Sequence, residues 1–280
     1  MPVSVLVYGG AGSGKTYSLR TLIKAGQNVR LLSAESNCLP VVKKFLREYE
    51  ADVKAGKVPP LKEGQFAVCV PELPKRTFAD FAKIQADSVI KGSEIATKSG
   101  AGSRAKFNKF ANICQAATQF IGTDGVNYGS IDDWGDDTTF VVDSLTAVSE
   151  AITGQIAGDK LALTRQDWGA MQGLLMPFIL LLTEGVRCNF VLTAHPYKEM
   201  SESIGSAAAY VTKIYPSNLG QALNDKIPAK FSEVVWSHTA EEGGQLKYYW
   251  STKERLAVTR YTNLPCSNKI QQDFSLIFDS

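Results

Sequence analysis

Gly9-Gly10-Ala11-Gly12-Ser13-Gly14-Lys15-Thr16 is the stretch on which the reading of this chain turns. It follows an apolar run, Val3 to Tyr8, and opens into a helical stretch, Lys15 to Ala25. The spacing fits G-x-x-x-x-G-K-[ST]. Glycines let successive backbone N–H groups turn inward around phosphate oxygens, and the helix beginning there adds the positive end of its dipole. Lys15 is then expected to reach the terminal phosphates and the Thr16 hydroxyl to coordinate Mg²⁺. A plain Gly/Ser turn has no need of Lys15-Thr16 at a helix start. No register satisfies G-x-G-x-x-G, which excludes a dinucleotide loop.

Working outward, the second half of such a site is an acid at the end of another buried strand. Thr139-Phe140-Val141-Val142-Asp143-Ser144 supplies Asp143, expected to hold Mg²⁺ through water. Ser144 cannot activate water, so a base must come from elsewhere. Glu35, in Leu31-Leu32-Ser33-Ala34-Glu35-Ser36, follows the strand candidate Asn28 to Ser33. Residues at the carboxyl ends of parallel strands converge on one crevice, which makes Glu35 the candidate base. A third strand, Asn189 to Thr193, ends at Ala194-His195-Pro196, and His195 is a candidate γ-phosphate sensor.

The rest of the chain fits an α/β class. Leu39 to Val53 reads as a helix with Pro40 near its start, Phe66 to Val70 as a short strand, and Thr77 as the cap of a helix over Phe78 to Ile90. Ser99 to Ser103 reads as a flexible link, Arg104 to Ile121 as a helix and Gly122 to Asp137 as an acidic loop. Leu161 to Leu182 carries helical periodicity. Toward the end, Val234 to Ser237, Leu246 to Ser251 and Ala257 to Tyr261 are strand-like and suggest hairpins or an antiparallel edge. Strands alternating with helices predict a mainly parallel sheet.

Composition bounds the function. The 280 residues are 44% hydrophobic and 21% charged, ordinary globular values. The longest apolar run, Met176 to Thr183, is far below the roughly 20 residues that span a bilayer. No signal-peptide pattern precedes Val3, so a cytoplasmic, non-membrane protein is expected. Net charge is only +2, but Lys75 to Lys109 holds eight basic residues and Phe110 to Asp159 none. Those blocks fit either solvated faces or a contact surface. Five scattered cysteines with no C-x-x-C pair point to reduced thiols rather than a disulfide framework or a zinc site.

Taken together, these elements resemble the RecA-like branch of the P-loop ATPases, in which the catalytic glutamate follows the second strand, as Glu35 does. A polar sensor ends the later strand in that branch, where Thr193-Ala194-His195 stands. More narrowly, the chain is similar to the small phage-encoded AAA-type, RecA-like ATPases of single-strand DNA recombination. Thr164-Arg165-Gln166-Asp167-Trp168-Gly169, Leu192-Thr193-Ala194-His195 and Ile227-Pro228-Ala229-Lys230-Phe231 support this. The resemblance covers Pro2 to Glu50 and Thr138 to Phe274. It implies a single RecA-like domain over residues 1–280 with a helical insertion at about 85–137 and antiparallel C-terminal strands. It also implies ATP and Mg²⁺ as ligands, and single-stranded DNA as a partner. Self-association into a ring or filament, and the bacterial host cytoplasm as the setting, follow from it too.

The family carries a K-x-R finger that reaches a neighbouring subunit's γ-phosphate. Here Arg260 fits the arginine, but Val258 stands at the lysine position, with Lys253 and Arg255 as substitutes. The resemblance thus implies Lys15, Glu35, His195 and Arg260 as catalytic residues. Gly9 to Thr16 would bind the nucleotide, and Thr16 and Asp143 the metal. Pro196 to Lys230 is expected to supply much of the contact with single-stranded DNA. Lys198, Lys213, Lys226 and Lys230 would meet phosphates, Tyr197, Tyr210 and Tyr215 would stack on bases, and the small-residue stretch Ser201 to Ala209 would order on binding. Two rivals stand beside this reading: a small-molecule or nucleotide kinase, for which no Arg-rich lid is evident, and an assembly protein that uses nucleotide only as a switch.

Overall fold

The computed structural model describes residues 2–35, 38–71, 108–158, 160, 162–202 and 209–278. The expected helix Phe78–Ile90 and link Ser99–Ser103 lie outside them, as do the start of the expected helix at Arg104 and most of the small-residue stretch.

Five runs with both faces buried make the centre of one sheet. They are β1 (Ser4–Gly9), β2 (Asn28–Ser33), β3 (Phe66–Cys69), β4 (Thr138–Asp143) and β5 (Asn189–Ala194). A hairpin, β6 (Pro196–Glu202) and β7 (Ala209–Pro216), stands apart as a two-stranded sheet. β8 (Glu233–Glu242), β9 (Gln245–Ser251) and β10 (Ile270–Gln271) complete the main sheet in the order β10-β9-β8-β1-β5-β4-β2-β3. From β8 to β3 every pairing is parallel, whereas β9 pairs antiparallel with β8 and β10 with β9. The expected α/β architecture with antiparallel C-terminal strands is therefore the observed one.

Alternation along the strands splits the core in two. Leu6, Tyr8, Phe140, Val142, Phe190 and Leu192 face one side. There they meet helices α4 (Lys109–Thr118), α5 (Leu145–Ala157) and α6 (Arg165–Leu180) through Ile113, Val148 and Leu175. Val5, Val7, Leu31, Val141 and Val191 face the other. Their partners are α1 (Lys15–Ser18), α2 (Arg20–Lys24), α3 (Cys38–Lys54) and α7 (Ser275–Phe278), through Leu22, Phe45 and Ile277. Helices on both faces of parallel strands leave only the strand ends open to ligands. The described part of the expected insertion, residues 108–137, joins the first core through Phe110, Ile113, Phe120 and Trp134.

Several expectations are corrected. The helix expected over Lys15–Ala25 is two short helices that meet at Leu19, where a tighter i→i−3 bond runs from Leu19 N to Thr16 O at 3.3 Å. The hydroxyls of Ser18 and Thr21 donate to carbonyls three residues back, at 2.7 Å each, and compete with the α-helical ladder. The helix expected over Leu161–Leu182 begins only at Arg165, because Thr164 and Asp167 form a reciprocal capping box. Ala257–Tyr261 is not a strand but two isolated bridges, Ile214 to Ala257 and Val234 to Arg260. Among the described residues no helix is long and apolar enough to cross a membrane, and all five cysteines are free.

Candidate active site

Parallel pairing sets the carboxyl ends of the central strands side by side. Gly9 pairs with Ser237 and Ser33 with Asp143. The loop after β1 crosses this edge, and two glycines there are dictated by space. A Cβ on Gly9 would lie 2.1 Å from the Ser237 carbonyl oxygen. Gly14, at φ +92°, would place one 2.5 Å from Gln272 Oε1 and 2.9 Å from Tyr248 Cδ1. The loop is held from outside as well. Gln272 Nε2 donates to the Ser13 carbonyl at 2.9 Å, to Ser237 Oγ at 2.8 Å and to the Tyr249 carbonyl at 3.0 Å.

Inside the loop, Lys15 Nζ donates to the carbonyls of Gly9 and Gly10 at 2.8 and 2.9 Å. Burial pushes its pKa down, and the nearby carboxylates of Asp143 and Glu35 oppose that shift. Thr16 Oγ1 donates to Asp143 Oδ2 at 2.8 Å, and the Thr193 hydroxyl donates to the other carboxylate oxygen. Asp143 is buried, and desolvation pushes its carboxyl up, against the two threonine hydrogen bonds. A dry carboxylate bonded to a hydroxyl at a phosphate loop is a hard-oxygen donor pair. It suits Mg²⁺, which takes one or two protein oxygens and shares the rest with phosphate and water.

Glu35 stands across the cleft. Ser144, which caps α5 through Ala147 N, also donates its hydroxyl to Glu35 Oε1. His195 Nε2 lies 3.5 Å from the same oxygen, and its backbone N–H donates to Thr146 Oγ1 at 3.1 Å. Lys15, Thr16, Glu35, Asp143 and His195 thus border one cleft of about 430 Å³ together with the loop from Ala11 to Gly14.

Arg260 is not brought there. Its guanidinium donates to the Ala229 carbonyl at 2.9 Å, and its backbone pairs with Val234, the second residue of β8. Sequence reasoning missed Tyr17, Val41, Lys44 and Tyr248, which also line the cleft. Lys44 is a second cation at the cleft beside Lys15. It lies 4.0 Å from Glu48 and 5.9 Å from the centroid of the Tyr17 ring. No motif marks these four residues, since Tyr248 arrives from a hairpin far along the chain.

The described part of the segment after His195 is ordered into regular elements. It is the β6–β7 hairpin followed by short 3₁₀ turns. Tyr215 is buried, so it offers no stacking face. Lys213 is paired with Asp225 at 3.2 Å and Lys230 with Glu184 at 3.0 Å. Tyr197, Met200 and Tyr210 remain exposed on the hairpin, with Lys198 and Lys226 exposed nearby.

The fold is of the α/β class, and a loop of the G-x-x-x-x-G-K-[ST] pattern follows β1, with one strand, β5, between β1 and the strand that ends in Asp143. No family model matches the sequence, and no curated protein matches it. Among solved structures, the chain is similar to a KaiC-like protein from Pyrococcus horikoshii, at 12% identity over 93% of this chain and 82% of that one, with a TM-score of 0.33. It is similar to the flagellar accessory protein FlaH from Methanocaldococcus jannaschii, at 10% identity over 95% and 82%, with a TM-score of 0.37. It is also similar to an ATPase from the type III secretion system of pathogenic bacteria, at 12% identity over 84% and 52%, with a TM-score of 0.38.

Proposed function

We propose that the protein is a RecA-like ATPase that hydrolyses Mg-ATP to ADP and phosphate and couples turnover to single-stranded DNA. The observation that carries this reading is the convergence of Lys15, Thr16, Asp143, Glu35 and His195 on one cleft from four separate chain segments. Lys15 leaves the Gly9 and Gly10 carbonyls to meet phosphate oxygens. Thr16 and Asp143 would hold Mg²⁺, which when bound would neutralise negative charge on the phosphates. Glu35 accepts a proton from the attacking water, while Ser144 and His195 fix its carboxylate. His195 leads directly into the β6–β7 hairpin, so movement at the γ-phosphate reaches Tyr197 through one intervening residue, Pro196. Exposed Tyr197 and Tyr210, with Lys198 and Lys226, supply stacking faces and cations for a single strand. The order of motifs supports a place in phage DNA recombination, annealing or replication.

Phosphate release from ATP, measured with and without single-stranded DNA, tests the whole reading. Stimulated turnover in the native protein, abolished in a folded Lys15→Ala variant, is the expected result. Tight binding without turnover would instead identify a nucleotide-switched assembly protein. Phosphoryl transfer to a small acceptor would identify a kinase.

A further inference from the structure

A second cleft, of about 450 Å³, adjoins the first beside Tyr17 and Ser18 of α1. Tyr17 and Tyr248 border both clefts, whereas Glu35, Asp143 and His195 border only the first. If the γ-phosphate lies beside Glu35, as the ATPase reading requires, the phosphate chain runs back along the loop. Its nucleoside end then emerges where the second cleft opens.

The chemistry of that cleft suits a flat, uncharged ring better than another phosphate. Its cations are already engaged: Arg20 lies 3.5 Å from Glu48 and 4.2 Å from the Tyr17 ring centroid, and Lys247 lies 3.4 Å from Glu242. The tyrosines are held in place by contacts other than a ligand. Tyr17 donates its hydroxyl to Glu48, and the Tyr248 ring is packed so close to the phosphate loop that only glycine fits at position 14. Tyr248 is nevertheless 41% exposed, which leaves ring surface free. Aromatic faces fixed beforehand lose little freedom on stacking with a base.

We propose that this cleft is the nucleobase subsite of the bound nucleotide, with Tyr248 as the stacking residue and Tyr17 as its second aromatic wall. The proposal rests on the ATPase reading, and it makes Tyr248 a determinant of preference for nucleotides over bare polyphosphate. The test compares ATP with inorganic tripolyphosphate, each with Mg²⁺, by titration calorimetry on the full chain. The expected result is that Tyr248→Ala weakens ATP binding by about 10- to 100-fold. Tripolyphosphate binding should stay unchanged, and Tyr248→Phe should bind ATP like the native protein. Equal loss for both ligands would show that the ring only props the phosphate loop, and would overturn the proposal. Unchanged ATP affinity in Tyr248→Ala would overturn it too. If the native protein binds neither ligand, the ATPase reading itself fails and the subsite falls with it.

Discussion

Glu35 holds the most consequential position among the side chains. Its carboxylate takes a hydrogen bond from Ser144, the residue at which an adjacent glutamate would make Glu35 unnecessary. Glu35→Gln preserves shape and hydrogen bonding but removes the basic charge. Turnover should fall by roughly 10²- to 10⁴-fold while ATP binding persists, as single-turnover and equilibrium binding assays would register. Near-native turnover would move the basic role to another carboxylate. Asp143 makes the opposite bargain between function and stability. Burial raises its pKa, so the folded chain binds this proton more tightly than the unfolded chain does. Its stabilising contribution is complete below the ordinary carboxylate value, near 4, and is lost as pH rises through the raised value. Asp143→Asn removes the buried charge and keeps an acceptor for a threonine hydroxyl. At pH 7 the nucleotide-free variant should be more stable, with the gain shrinking toward pH 4. Thermal melts across that range check the sign, since a variant less stable at every pH would mean the carboxylate is a net support.

The elements differ in how openly the sequence announces them. β1, β4 and β5 were legible because both-face burial writes continuous apolar runs, and the phosphate loop because its chemistry fixes residue types at fixed spacing. The second bounding wall of the site was not legible. Tyr248 and Gln272 reach the loop only through pairing between distant strands, and nothing local in Lys247-Tyr248-Tyr249 encodes that contact. Ala257–Tyr261 misled for a related reason: its strand-like composition serves two isolated bridges and an acceptor for the Tyr8 hydroxyl at Val258 O, 2.7 Å away. The β6–β7 hairpin carries its own test. Replacing Tyr197 and Tyr210 by alanine removes exposed rings rather than core, so ATP binding should survive. Affinity for a labelled single strand should drop by about 1–3 kcal/mol per lost stack, read by fluorescence anisotropy. Undiminished affinity would place the strand on some other surface.

In the ATPase reading, charge developing on the γ-phosphate calls for a cation besides Lys15. Lys44 gives the chain a second cation at its own cleft, whereas Arg260 lies outside that cleft. In the RecA-like reading, Arg260 reaches the phosphate of a neighbouring subunit. Mixing Arg260→Ala with Lys15→Ala, each inactive alone, should restore part of the ATPase activity wherever an intact loop meets an intact arginine. No rescue despite proven co-assembly, or full activity in a strict monomer, would leave Lys44 as the cation to pursue.

The grip of Gln272 on the Ser13 carbonyl spans 259 positions of the chain. During translation the glycine-rich loop leaves the ribosome well before its outer brace is made. A nascent chain therefore carries an unbraced loop until Gln272 has emerged and β10 has paired with β9.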